Sequence, residues 1–485
     1  MTFAAAPSPW PRAVAWALFA VVVVHAIVFS ARVANPLVIS DGWYFVDSFL
    51  RKYAEGQLTV GDFFAKRAAV DHALPFHKML LVLNYHLFGV DLSFETWVGL
   101  AFAVATMWLL RSVIRRSVRP TDFADWPVQV TWAAICAIWL SLNSSSIFEW
   151  PMLALSFVAL FLCCVLAIAT WRALEGGPWW PAVVAVLVTM FVSDDGGAIA
   201  VIATAMTLAL QGVRTGRGKR AVLLAGALVL ACVAWKLMAY ALAPTLNAGP
   251  AAGVGGDVSL AELAMSLSIP LSSGVLYPPQ SQMLFHGFAR SVDVLLAAGF
   301  AAAHLLFWYQ ALRRRTTLAW FLAIATMFLF YGLCAGVLIG RVPQYGAQAF
   351  LQPRYVVFYQ LHVVALLLML ACWFGERGWE ASSRVAKPTV AASIAVCVGL
   401  VLLQVPLDRE GWRRAPYAWA YVEKLALQMH ELGAEPEVPP QGCLPQITVC
   451  RAPVLVRERA VTFLRDHKLN AYSPEFRARH DLPPE

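Results

Sequence analysis

The sequence predicts an all-α polytopic membrane protein of about eleven transmembrane helices, with juxtamembrane helices on its outer face and a small C-terminal extracytoplasmic α/β tail. Three observations predict it. Of the 485 residues, 60% are hydrophobic and 14% charged, where a soluble domain is nearer half and a quarter. Apolar runs of about 17–25 residues recur along the chain. The Lys and Arg residues cluster in short turns between those runs, so the net charge of +8 reads as membrane topology and not as a nucleic-acid surface.

The first run, Arg12 to about Ala34, lacks a small-residue cleavage site and reads as a retained anchor. Ten further spans follow at about 96–113, 127–142, 150–170, 179–193, 197–212, 222–242, 291–311, 318–339, 355–374 and 389–405. The basic turns are RSVIRRSVR (111–119), RTGRGKR (214–220), RRR (313–315) and the loop with Arg377, Arg384 and Lys387. All four fall on one side if the N-terminus is cytoplasmic and the C-terminus extracytoplasmic. On that topology the apolar stretch 74–90 cannot cross. Bounded by Pro75 and Gly89 and carrying His77, Lys78, Asn84, Tyr85 and His86, it suits an amphipathic helix in the outer interface. Two more such helices are expected at 43–55 and 59–70.

The outer side then holds loop 35–95, the NSSSIFEW turn (143–150), the SDDGG turn (193–197), loop 243–290 and the stretch 340–355. The membrane domain ends near 405, and residues 406–485 form a polar tail. AYVEKLALQMHEL and RERAVTFLRDHKL have helical spacing, with ITVCRAPVLV between them reading as strand. Of nine cysteines, Cys136, Cys163, Cys164, Cys232, Cys334, Cys372 and Cys397 lie in apolar spans and read as packing residues. Cys443 and Cys450 read as a disulfide if the tail is outside the cytoplasm.

No soluble catalytic domain is visible, so any chemistry must be built from the outer loops. Asp41 reads either as a helix N-cap or as a general base. Glu149 reads as a solvated loop end or as a second carboxylate. Asp194 and Asp195 suit a turn, or would bind a cation or a sugar hydroxyl. Lys66, Arg67, Lys78, Arg290, Arg341 and Arg354 are cations against the positive-inside trend. They either snorkel or bind a phosphate, and Lys78 and Arg354 stand out. His72, His77, His86 and His286 with Asp71 have the elements of a metal site, but the spacing matches no known ligand motif and reads rather as interfacial or hydrogen-bonding roles. Lys236, inside a span, needs an internal partner.

Asp41 with Trp43 and Tyr44, the stretch DHALPFHKMLLVLNYHLFGVD (71–91) and PRYVVFYQLHVVALLLML (353–370) together resemble the GT-C superfamily of membrane glycosyltransferases. The group includes protein O-mannosyltransferases and lipid A aminoarabinose transferases. The likeness covers about residues 1–375. It departs from the family in having Asp-Gly for the usual acidic pair, a single proline at Pro75, and Glu149 where Asp is usual. The resemblance implies a sugar donor on a polyprenyl phosphate and an envelope glycan, lipid or protein acceptor at the outer face of a bacterial inner membrane. It implies Asp41 as base, with Glu149 as a second acid. Lys78, Arg354 and Arg341 would hold the donor phosphate, and Tyr44, His72, His77, Asp194, Asp195 and Tyr355 would contact substrate. Loop 243–290 would act as a lid. A divalent metal is neither required nor excluded. The competing expectations are a transporter or flippase of a lipid-linked sugar, and a non-catalytic assembly factor that binds through its tail.

Overall fold

The computed structural model describes residues 10–66, 72–119, 126–243, 259–314, 316–377 and 386–480. Among these no strand occurs, and nine helices are long and apolar enough to cross a membrane. The chain is an all-α, multi-pass membrane protein in its build.

Helix α1 is Trp10–Val33, and the interfacial helix α2 is Pro75–Phe88. The bundle continues with α3 (Ser93–Ser117), α4 (Trp126–Trp139), α5 (Ser156–Leu174), α6 (Trp180–Val192), α7 (Asp194–Thr215) and α8 (Gly218–Leu242). Then come α9 (Leu260–Ser273), α10 (Ala289–Arg313), α11 (Leu318–Gly340), α12 (Val356–Arg377) and α13 (Ala386–Ala434). All eleven expected spans are helical, but α4 and α6 are only 14 and 13 residues long. At 1.5 Å per residue, α6 covers roughly 20 Å, short of the ~30 Å hydrocarbon layer. The acidic start of α7 follows at once.

The described basic turns gather at one end of the bundle. Arg214 donates to the carbonyl of Arg314, and Arg217 pairs with Glu175. Arg220 donates to Ala173 O at 2.7 Å, and Ala319 N–H donates to Ser117 Oγ at 2.9 Å. Arg111 departs from that pattern. It turns inward, with its guanidinium 4.5 Å from the Trp16 ring and 4.1 Å from Trp132, two cation–π contacts that replace hydration.

The opposite end carries the long loops. Residues Gly42–Phe45 run through a wider π-type turn, Val46–Leu50, into Arg51–Ala54. Val60–Phe64 follows, begun by a capping box between Thr59 and Asp62. With α2, these fall where helices are expected at 43–55, 59–70 and 74–88, but the second ends at Phe64, where Ala65 turns extended, and its residues 67–70 lie outside the described set.

The tail departs from expectation in two ways. Span 389–405 does not end there. α13 runs unbroken through Pro406 and Pro416 for 49 residues. The expected ITVCRAPVLV strand is instead a short 3₁₀ turn, Thr448–Arg451, and the start of helix α14 (Val454–Asp466). The reason is local. Pro453 caps α14, and the buried Arg457 donates to the carbonyls of Pro436 at 2.6 Å and of Cys450 and Ala452 at 3.3 Å. Those carbonyls are engaged without a partner strand. Cys443 and Cys450 are disulfide-bonded as expected.

One apolar core fills the bundle. A second joins the tail to the first loop: Leu37, Trp43, Phe45 and Leu92 pack with Leu425, Met429, Val461 and Tyr472.

Candidate functional site

The loop-rich end is built by long-range polar ties. Asn143 is fully buried in the second loop. It donates to Ser273 O at 2.8 Å and accepts from Tyr277 N–H at 2.6 Å, fixing the end of α9. Tyr277 Oη donates to Leu351 O at 2.5 Å, and Ser144 Oγ to Pro353 O at 3.0 Å. Gly274 lies so close to α12 that a Cβ there would sit 2.6 Å from Tyr359 O and 2.7 Å from His362 Nε2. Loops two, four and five therefore meet at one point. The base of the expected lid is anchored, while residues 244–258 lie outside the described set.

Asp41 is half-buried at the N-cap position of its short helix. Its carbonyl accepts from Tyr44 and Phe45 N–H at 3.1 and 3.4 Å, while its side chain makes no capping bond. Ser40, just before it, holds a left-handed φ of 49°, uncommon for a non-glycine residue. Two bonds from the disulfide loop grip it: Ser40 N–H donates to Gln446 O, and Thr448 Oγ1 donates to Ser40 O, both at 2.6 Å. Tyr44, one turn on, accepts Ser48 Oγ on its carbonyl at 2.7 Å. Asn470 from the tail donates to Pro36 O and Val90 O at 2.9 and 2.7 Å and accepts from Val38 N–H at 3.1 Å.

Glu149 is brought toward the same loop, since its carbonyl accepts from Asn35 N–H at 3.2 Å. Burial pushes its carboxyl above the ordinary range, against a Ser145 hydrogen bond and the nearby Arg414. It is not a solvated loop end.

Lys78 is 1% exposed. Its ammonium donates to the carbonyls of Asp62 at 2.7 Å, Phe63 at 3.2 Å and Ala65 at 2.8 Å, which engages all three of its protons. Burial lowers its pKa to about 8. Asp62 is tied to Lys52 at 2.8 Å. Burial alone would raise its carboxyl, but the Lys52 and Thr59 hydrogen bonds hold it low.

Asp194 and Asp195 form an ionic cluster. Lys236 pairs with both, which supplies its partner. Lys66 lies 3.4 Å from Asp194, and His72 Nδ1 lies 2.6 Å from Asp195. Ala73 N–H donates to Asp194 at 3.2 Å. Asp194 is buried, whereas Asp195 and His72 each keep about half of their side-chain surface.

Directly below, a cavity of about 140 Å³ is lined by Leu74, His77, Ser156, Ser193, Gly196 and Phe358 among others. It shares Leu160, Cys163 and Leu329 with a separate void of about 20 Å³ that is lined by Ala167, Thr204 and Leu322. The larger cavity is a mainly apolar groove between α2, α5, α7, α11 and α12. Neither Asp41 nor Glu149 is part of its wall.

Arg354 is exposed, its guanidinium 5.0 Å from the Tyr355 ring. Arg341 is half-buried at the end of α11. Among the described residues no three His, Cys, Asp or Glu side chains form a metal-ligand group, and Asp71 and Arg67 lie outside them. Sequence reasoning missed Asn143, Asn470 and Glu95. Each sits in a mixed polar stretch, SLNSSS, HKLNAYS and SFET, where nothing sets it apart.

No family model matches the chain, and no curated protein or solved structure matches it.

Proposed function

We propose that the protein is a glycosyltransferase. It moves a sugar from a polyprenyl-phosphate donor to an envelope glycan, lipid or protein acceptor, with its loop-rich end at the periplasmic face of a bacterial inner membrane. The observation that carries this reading is the apolar groove headed by an ionic cluster. The groove is mainly apolar, as a prenyl chain requires, and Ser193 and Gly196 in its wall flank the Asp194–Asp195 cluster, where a phosphate and sugar would sit.

The roles follow from the surroundings. Lys78 is engaged by the 62–65 carbonyls. The donor phosphate therefore falls to cations with an open face: Arg354 and Arg341, with Lys66 and Lys236 at the groove mouth. Asp41, held in place by the tail, takes the acceptor proton. Asp195, His72, Tyr44 and Tyr355 contact the sugar and acceptor. Cations around the leaving phosphate stabilise its growing charge. Attack opposite the phosphate inverts the anomeric centre.

The test uses full-length protein in lipid, radiolabelled polyprenyl-phosphate sugars and membrane extract. Label should move to a new acceptor with wild type and not with Asp41→Asn, which should still insert normally. Transfer at the wild-type rate by Asp41→Asn would remove its role as base. Labelled donor crossing sealed vesicles without being consumed would replace the transferase with a transporter.

A further inference from the structure

Two ionisable side chains, one of them in the groove wall, have no part in the roles above. Glu95, in the first turn of α3, is fully buried, and His77 on α2 is 4% exposed. His77 Nδ1 lies 3.1 Å from Glu95 Oε1. That approach is not a hydrogen bond: both ring nitrogens of His77, both Glu95 oxygens and the neighbouring Thr96 hydroxyl have no hydrogen-bond partner among the described residues. The Phe45 ring packs edge-on against the imidazole with centroids 4.8 Å apart. A buried ionisable pair with orphaned atoms is costly, and an apolar pair of the same shape is often as stable. His77 is also part of the groove wall, beside Leu74 and Phe76 and facing the α7 start at Ser193 and Gly196. Orphaned polar atoms at the rim of an apolar groove are completed by the polar group of whatever enters it.

We infer that the His77–Glu95 pair is a phosphate contact at the groove head, with His77 donating to the leaving oxygen of a lipid phosphate and Glu95 positioning the ring. This rests on the lipid-phosphate reading above and gives that phosphate a partner one residue before Lys78. In the imidazolium form both ring nitrogens carry hydrogen. One faces Glu95, and the other meets the phosphate oxygen. During transfer the bond from the anomeric carbon to the phosphate oxygen breaks, and its electron pair stays on that oxygen. The acceptor oxygen bonds to the anomeric carbon, and its proton passes to Asp41. His77 hands its Nε2 proton to the leaving phosphate, giving a hydrogen phosphate monoester and a neutral imidazole, which regains a proton from water. Glu95 holds the ring through both states, as the orienting acid does in a nucleophile–base–acid array.

The probe is polyprenyl monophosphate, compared with the uncharged polyprenol, added to the full-length protein in nanodiscs. For the wild type, polyprenyl phosphate should raise the thermal midpoint well above what polyprenol does. His77→Gln should keep its ligand-free midpoint and its response to polyprenol, yet bind the phosphate at least tenfold more weakly. Glu95→Gln should show the same loss in part, and Glu95→Asp should recover some of it. Unchanged phosphate affinity in His77→Gln would overturn the inference. So would parallel loss of polyprenol response and ligand-free stability, which marks a purely structural pair. If the variants do not fold, ring-nitrogen resonances of wild-type histidines are read instead, and no shift on adding polyprenyl phosphate overturns it. The two proposals fail separately. Phosphate-specific loss in His77→Gln without sugar transfer by wild type removes the transferase and keeps the contact. Wild-type transfer undiminished in His77→Gln removes the contact alone.

Discussion

Lys78 shows how one buried cation can be structural. Its three protons close the 62–65 turn from the inside, while Phe45 and Phe49 lie 5.9 and 5.6 Å from the ammonium. Lys78→Met would leave three carbonyls without a donor and should cost about 2–3 kcal/mol of stability. The pH dependence follows from its lowered pKa of about 8. Between that value and the ordinary lysine range the unfolded chain holds a proton that the folded chain has released. Stability from this group therefore rises with pH across that window. In urea or thermal unfolding, the margin of wild type over Lys78→Met should widen from pH 8 upward, and a margin that narrows would contradict the assignment. Asn143→Ala removes two buried bonds at once and should cost about 2 kcal/mol, measured the same way. None of these partnerships was legible in the sequence. A lysine in an apolar stretch announces that something meets it, but carbonyls 13–16 residues back, or carboxylates 41–42 residues back in the case of Lys236, leave no periodic trace.

The elements themselves were largely legible, because a bilayer demands long apolar helices and little else. The nine described helices long and apolar enough to cross, α2 with Pro75 in its first turn and Gly89 at its end, and the disulfide all follow from composition and spacing. The ITVCRAPVLV segment did not. Its β-branched residues favour a strand, but a strand needs a neighbour, and Pro453 with Arg457 offers its backbone a helix instead. Two predictions belong here. Gly99 sits where α3 crosses the chain at Ala154, and a Cβ would lie 2.3 Å from that carbonyl. Gly99→Val should therefore abolish folded protein, seen as loss of a monodisperse peak in detergent. The Cys443–Cys450 bridge closes a loop of eight residues, and its removal should cost about 2–3 kcal/mol by loop entropy. Because that loop grips Ser40, Cys443→Ser with Cys450→Ser should also lower transfer more than donor binding. A loss confined to stability would separate the loop from the site.

For the whole molecule, the sequence puts the four basic turns on one side, and the described ones do meet at one end. What they could not give is the tail's place. Residues 406–485 look detachable as sequence, being polar after a long apolar domain. In the fold they share a core with residues 37–50 and 81–92, and Arg459 pairs with Asp47 at 3.1 Å. Truncation after 405 should therefore not leave a working membrane domain. It would expose Trp43, Phe45 and Leu92, and the expected result is aggregation or proteolysis in membranes rather than an active shorter enzyme. A truncated chain that still transfers sugar would return the tail to the status of a separate binding module.

The unbroken course of α13 makes the molecule a lever as well as a vessel. Its 29 residues beyond position 405 amount to about 43 Å of stiff rod, ending among the residues that fasten the disulfide loop to Ser40. A tilt of roughly 5° within the bilayer, the ordinary response to a change in thickness, would carry the far end about 4 Å. Membrane thickness would thus be transmitted to the outer loop as displacement, and the rate should vary with lipid chain length in reconstituted bilayers, most steeply where the disulfide is intact.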